Sequence, residues 1–393
     1  MYKNISENIK TPILALILLH FLIMWTPGCS HPEPNAALTR VAGIVSDDPK
    51  TAMVMLDSID SRKLSDADRH FHDFLTVKAR DKAFVTHESD SLIIDVIDYY
   101  SSHPQRPIYT EALYYGGRVY TDLGDYPTAL QYYQKTLENL DISSDTTDLK
   151  GRLNSQIAML LETLRLYDKA ISYYNVVLNQ KLEEQDSAVI VYTLQRLGGI
   201  WHEMGEQDRA DSILYLSLKY SVSLPDYFSA MSRVLLASVK QEKGDLKAAL
   251  NLIRNTPKLV EPVSKNTALA HAADIYLAAG IIDTAYIYAH ELITRDDMTN
   301  KKTGYRILTS SELRKHLHPD TLNQYFSDYK QILEEYFNDN RNELALLQES
   351  QYNYRLHERG RLKALKDRDT MRWFTVGFAF LGVILALTVL YIR

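Results

Sequence analysis

One cysteine, Cys29, stands in a chain of 393 residues. A disulfide framework within the chain is therefore excluded, as is a zinc site built on several thiolates. Glycine and proline are scarce, at 15 and 12 residues, while tyrosine is abundant at 27. That balance points to helices with aromatic cores rather than to a glycine-rich catalytic α/β fold. Positive charge is in deficit, with 44 Lys and Arg against 50 Asp and Glu and a formal net charge of −6. This argues against nucleic acid as the main partner. No dinucleotide-binding or phosphate-binding glycine loop, no H-E-x-x-H and no G-x-S-x-G occurs, so no enzyme class is indicated. At 46% hydrophobic residues the chain has ample material for a core, which excludes global disorder.

Long apolar runs are confined to the two ends. Lys3 and Lys10 precede an uncharged run from Ile13 to Trp25, interrupted only by His20. Its length fits the apolar region of an export signal better than a spanning helix of roughly 20 residues. Thr26-Pro27-Gly28-Cys29 follows. The arrangement resembles a bacterial lipoprotein signal, which implies lipidation at Cys29 and removal of residues 1–28. At the other end Trp373–Ile392 carries no charge, with Trp373 and Tyr391 at its borders. It is long enough to cross a hydrocarbon core of about 30 Å, so a single transmembrane helix is expected. The preceding stretch is basic: Arg355, Arg359, Arg361, Lys363, Lys366, Arg368 and Arg372 outnumber Glu358, Asp367 and Asp369. An exported body places this collar outside, against the positive-inside tendency, which a long translocated domain can override.

Between the ends the sequence repeats itself. Leu113, Gly117, Tyr120, Gly124, Tyr126, Ala129 and Tyr133 recur in spacing as Leu194, Gly198, Trp201, Gly205, Ala210 and Leu214. Weaker copies hold Ala158, Tyr167, Ala170 and Tyr174; Ala237, Gly244 and Ala249; and Ala273, Tyr276, Gly280 and Ala285. This spacing resembles the tetratricopeptide repeat, a pair of antiparallel helices with small residues where they approach most closely. The expected fold is all-α: a superhelical array of helix pairs, then a long stalk helix and one transmembrane helix. The expected divisions are degenerate helical repeats at 36–101, the array at 110–295, a short helical segment at 297–318, a juxtamembrane helix at 320–372 and the span at 373–392. Leu322, Tyr325, Tyr329, Ile332, Leu333, Tyr336 and Phe337 make an apolar stripe on the juxtamembrane helix, and the tail beyond it, with Asn340, reads as a stalk or weak coiled coil and a candidate homodimer contact.

An array of this kind holds a protein or peptide ligand in its concave groove, lined mainly by first helices. The repeat register places Glu111, Tyr114, Arg118 and Asp122 there, with Arg152, Ser155 and Glu162, then Tyr192, Gln195, His202 and Glu203, and finally Gln241 and Asp274. Tyr114 and Tyr192 are expected to be exposed and to act as anchors. The Lys and Asn pairs with which some tetratricopeptide domains clamp a C-terminal carboxylate are missing from the matching positions. His70-Phe71-His72-Asp73 is expected on a solvated helix face, not at a metal, and no cofactor is implied.

The whole layout resembles a bacterial group of tetratricopeptide membrane proteins with an export signal, a periplasmic repeat array, a basic juxtamembrane helix and one span. The resemblance implies an inner-membrane scaffold or sensor that binds a protein or peptide on the periplasmic side. Members often continue into a cytoplasmic coiled coil or a helix-turn-helix regulator; here Arg393 is the last residue given. The alternative is an outer-membrane glycan-binding lipoprotein on the same frame, against which the C-terminal apolar run counts.

Overall fold

The computed structural model describes residues 35–102, 107–140, 147–254, 256, 265–295 and 298–336, together with 359, 360, 363, 366, 370 and 371. The signal region with Cys29, the stalk residues 337–358 and the apolar run 373–392 lie outside the described residues. Among the described residues no helix is long and apolar enough to cross a membrane. Regular structure there is helical throughout. The chain divides into two compact units, meeting in sequence between Thr86 and His87.

The first unit holds α1 (Ala36–Ile44), α2 (Pro49–Asp57), a short 3₁₀ turn (Ser61–Lys63) and α3 (Asp66–Lys82). Each helix starts on a side-chain cap. Asn35 accepts from the Ala37 amide, Asp48 from Thr51 with Pro49 in the first turn, and Ser65 from Asp68. Leu38, Val41, Ala52, Leu56, Phe74 and Leu75 form the buried face. The histidine motif is not on a solvated face. His70 is buried and its Nδ1 donates to the Asp66 carbonyl at 2.7 Å, because Val77, Phe74 and His70 share the inward stripe of α3. His72 is half-buried, between Asp73 at 3.1 Å and the Leu56 carbonyl at 3.3 Å.

The second unit begins with α4 (Ser91–Ser101) and continues as five helix pairs: α5 (Pro107–Asp122) with α6 (Tyr126–Leu140), α7 (Thr147–Thr163) with α8 (Tyr167–Glu184), α9 (Ser187–Glu203) with α10 (Gln207–Tyr220), α11 (Asp226–Glu242) with α12 (Leu246–Ile253), and α13 (Lys265–Ala278) with α14 (Ile282–Ile293). After α15 (Met298–Leu308) and α16 (Ser311–Arg314), a helical stretch covers 319–336. Consecutive helices pack on one another, and alternate first helices also touch, as α9 does α11 and α11 does α13. Local pairing of this kind makes a solenoid, in which each pair buries its face against its neighbours.

The small residues sit where the pairs cross. Gly117, Ala158, Gly198, Ala237 and Ala273 are buried on the first helices, and Ala129, Ala170, Ala210, Ala249 and Ala285 on the second. A β-carbon on Gly117 would lie 2.1 Å from the Tyr133 ring, and one on Gly198 would lie 2.6 Å from Leu214. Between the helices of each pair one residue turns left-handed: Gly124 (φ 76°), Gly205 (79°), Gly244 (83°) and Gly280 (71°). In the second pair Arg165 holds that place at φ 54°. The following residue closes the turn, as Leu166 does onto Leu161 and Glu206 onto Trp201.

Residues 320–336 of the expected 320–372 helix do not stand free. Tyr325 is buried against Tyr305, and its hydroxyl is 3.4 Å from that of Tyr286. Lys302 lies 3.6 Å from the Tyr336 ring centre. Of this helix's apolar stripe, Tyr325 thus packs into the core of the last helices of the array.

Candidate functional site

First helices α7, α9, α11 and α13 enclose a groove with a cavity of about 570 Å³. Two stacked rows build its floor and wall. Relative to the buried small residue of each first helix, the row six positions earlier supplies Tyr192, Met231 and Thr267, and the row two positions earlier supplies Arg196, Leu235 and His271. Tyr227 and Phe228, stacked at 4.5 Å, close one side. Glu162, His202 and Glu203 form the opposite rim, and Gly199 lies between the two.

The sides differ chemically because they come from opposite ends of the helices. The aromatic side comes from the N-terminal halves of α9 and α11. The acidic rim comes from the C-terminal turns of α7 and α9. Arg196 spans the space beside that rim, its guanidinium 2.7 Å from Glu162 Oε1 with Nε donating to Oε2 at 3.0 Å. Tyr174 donates to the same carboxylate at 2.7 Å. Burial works against the Arg196 charge, but Tyr174, Glu162 and Tyr192 outweigh it and hold the guanidinium above its ordinary range. Glu203 accepts from the Tyr167 hydroxyl, which burial and this carboxylate together push up to about 12. His271 Nδ1 meets Ser238 Oγ at 2.8 Å; burial, aided by His202, lowers its pKa.

The cavity gathers some of the sequence-derived candidates and not others. Glu162, Tyr192, Gln195, His202 and Glu203 line it. Gln195 is tied down by bonds to the Phe228 carbonyl at 2.8 Å and to Ser232 at 2.9 Å, so it clamps α9 to α11. Arg118, Asp122, Arg152 and Gln241 do not line it. Arg118 bonds Gln156 at 2.8 Å, and Asp122 holds His87 through both ring and backbone nitrogens. Arg152 stacks 5.2 Å over the Tyr114 ring and pairs with Asp148 at 3.0 Å. Ser155 bonds its own helix at Gly151, and both Asp274 carboxylate oxygens accept from Arg306 Nη2, at 2.6 and 2.7 Å.

The expectation that Tyr114 is an exposed anchor is corrected. Its residual exposure is 4%, and it packs edge-on to Tyr115 and against Tyr133 beneath Arg152. Tyr192, at 41%, is exposed. Arg196, Gly199, Tyr227, Phe228, Met231, Leu235, Thr267 and His271 were missed. For Met231 and Thr267 the signal lay in the register itself: Arg152 and Tyr192 already mark the row that continues to them. Among the described residues no group of three or more His, Cys, Asp or Glu side chains could hold a metal ion.

No protein-family model matches the chain, and no curated protein sequence matches it. Solved structures do. The apo form of RapI superposes with a TM-score of 0.59 at 14% identity over 84% of this chain and 98% of that one. A Rap protein complexed with competence and sporulation factor gives 0.54 at 14% identity, over 81% and 94%. A signal transduction ATPase with a tetratricopeptide repeat sensor, from Pyrococcus horikoshii, gives 0.60 at 15% identity, over 77% of this chain and 47% of that one. NprR in complex with its cognate peptide NprX gives 0.50 at 15% identity, over 81% and 96%. At such identities the likeness concerns the fold, and the fold of the described residues is a tetratricopeptide-type helical array.

Proposed function

We propose that this protein is a membrane-anchored tetratricopeptide scaffold or sensor that holds a peptide or protein segment in the groove between α7 and α13, on the periplasmic side. The observation that carries the reading is the cavity itself: it is concave, framed by first helices, and combines exposed aromatic surface with a charged rim. Structures of the same fold solved with bound partners, the Rap protein with its factor and NprR with its peptide, support it. Anchoring and orientation rest on the sequence, through the signal-like Ile13–Trp25 and the apolar run Trp373–Ile392.

The test is site-specific crosslinking in cells. A photoreactive phenylalanine analogue at Met231, inside the groove, should capture a polypeptide. The same group at Tyr215, exposed on the second helix α10, should not. Capture at Tyr215 alone would overturn the groove reading. For the anchor, protease added to spheroplasts should digest the array, while intact cells protect it; an array protected in spheroplasts would overturn the orientation.

A further inference from the structure

The groove carries a glycine that the chain's own packing does not require. At Gly198 the packing is tight, since a β-carbon there would meet the Leu214 side chain at 2.6 Å and force it to shift. At Gly199, one residue on, a β-carbon would meet nothing within 4 Å, and the backbone has no positive φ. A glycine inside a helix is unfavourable relative to alanine. What Gly199 provides is bare helix surface in the cavity lining, two turns from Tyr192 on the same helix and sharing the cavity with Tyr227 and Leu235 of α11. A large apolar side chain fits that combination of open floor and apolar wall.

The rim beside it is acidic in a way the helices alone disfavour. Glu162, Glu203 and Glu242 all stand in the last turn of a first helix, where a carboxylate opposes the helix dipole. Glu162 is neutralised by Arg196. Among the described residues Glu203 has only the Tyr167 hydroxyl, and Glu242 has the Gln207 amide at 2.5 Å with His202 at 3.7 Å. The lysines at this end are turned away: Lys240 pairs with Asp211 at 2.8 Å and Lys243 with Asp208 at 2.7 Å. Of the carboxylates that line the cavity, Glu203 is therefore the one without an ion pair among the described residues.

Gly199 and Glu203 are one helical turn apart, about 6 Å along the axis. In an extended peptide, side chains two residues apart share a face at about 6.6 Å. We infer that the groove takes an extended peptide in which a large apolar side chain seats on Gly199 and a Lys or Arg two residues away pairs with Glu203. This deepens, and rests on, the reading of the groove as a peptide site.

The test pans a phage-displayed library of random twelve-residue peptides against the full chain. Recovered peptides should combine a large apolar residue with Lys or Arg two positions away. Gly199→Leu should weaken the recovered peptides at least about tenfold, because it occupies the seat. Its melting temperature should match or exceed wild type, since a β-carbon there meets nothing within 4 Å, the cavity has room beyond it, and leucine favours the helix. Glu203→Gln should keep the apolar requirement and lose about two- to fivefold of the preference for Lys or Arg over Gln. Acidic or uncharged peptides that are still lost on Gly199→Leu would overturn the stated class and leave the groove reading intact. Peptides indifferent to Gly199→Leu, or no enrichment over that variant, would overturn both.

Discussion

The first helix pair of the array, α5 with α6, and the third, α9 with α10, share one backbone plan and differ on the inner face. In the first pair that face is filled. Tyr114 and Tyr115 are buried, Arg152 lies over Tyr114, and Arg118 reaches across to Gln156. In the third pair it is open, with Gly199 bare and Tyr192 exposed. A solenoid's frame is set by its crossing residues, and these are small and buried in both pairs. Whether the concave side is closed or available is decided by a separate set of positions, under no demand from the frame.

The largest expected effect separates the two tyrosines. Tyr114→Ala removes a buried aromatic side chain and should destabilise the array by about 3–5 kcal/mol. Tyr192→Ala should stay within about 1 kcal/mol, as befits an exposed position. Urea denaturation of the two variants reads the difference; equal losses would mean that the inner face is packed alike throughout.

The glycines divide next, and with opposite signs. Gly117→Ala drives a β-carbon into the Tyr133 ring and should cost about 1–3 kcal/mol. Gly199→Ala should gain about 0.5–1 kcal/mol from helix propensity. A loss at Gly199 in the same melts would show that its backbone is needed by the fold, and would remove the ground for calling the surface vacant.

This division also marks how far the sequence could be read. Gly117, Gly198, Ala129 and Ala210 were legible as crossing residues because a close approach forbids anything larger, and that constraint repeats with the fold. The left-handed turns at Gly124, Gly205, Gly244 and Gly280 were legible for the same reason. The site was half legible. Glu162, Tyr192, His202 and Glu203 follow from polarity and register. Met231 and Leu235 look like core in a sequence, since an apolar residue on a helix has no label for which side it buries. Tyr114 failed in the reverse sense. Its ring is covered by Arg152, a contact between neighbouring repeats that spacing within one repeat cannot show. The stripe from Leu322 onward was seen as apolar, but the packing of its Tyr325 against the helices around Tyr286 and Tyr305 is a tertiary fact.

A smaller effect sits at the seam between the filled and the open face. The turn of α7 and α8 has Arg165 in the left-handed region where the other four pairs have glycine. An L-residue there carries a strain of about 1–2 kcal/mol. Arg165 is exposed, so Arg165→Gly should stabilise by about 1 kcal/mol after the glycine's larger unfolded-state entropy is counted. A reduced melting temperature would mean that the arginine makes a contact worth more than the strain.

The last effect is a difference in how the two faces meet acid. In the filled region burial pushes the Asp122 carboxyl up, but hydrogen bonds from the His87 ring and amide, with Arg118 close by, outweigh it and leave the pKa below its ordinary value. A depressed carboxylate stabilises the fold at pH values above its unfolded pKa of about 4 and loses that contribution as pH falls through the folded value. In the open groove His271 is lowered by burial, with Ser238 on its Nδ1, His202 adding to the shift and Asp274, already paired with Arg306, working against it. The unfolded chain then binds the proton more readily, so stability falls as pH drops below about 6.5 and stops falling once the folded histidine is itself charged. The open face should therefore weaken first on acidification, and the filled face only below about pH 4. Melting temperatures between pH 7 and 5 should decline more in wild type than in His271→Gln, while Asp122→Asn should lower stability at neutral pH and flatten the profile only at the acid end. A His271→Gln profile that parallels wild type from pH 7 to 5 would show that the groove histidine titrates as it does in water, and that the open face is wetter than its lining indicates.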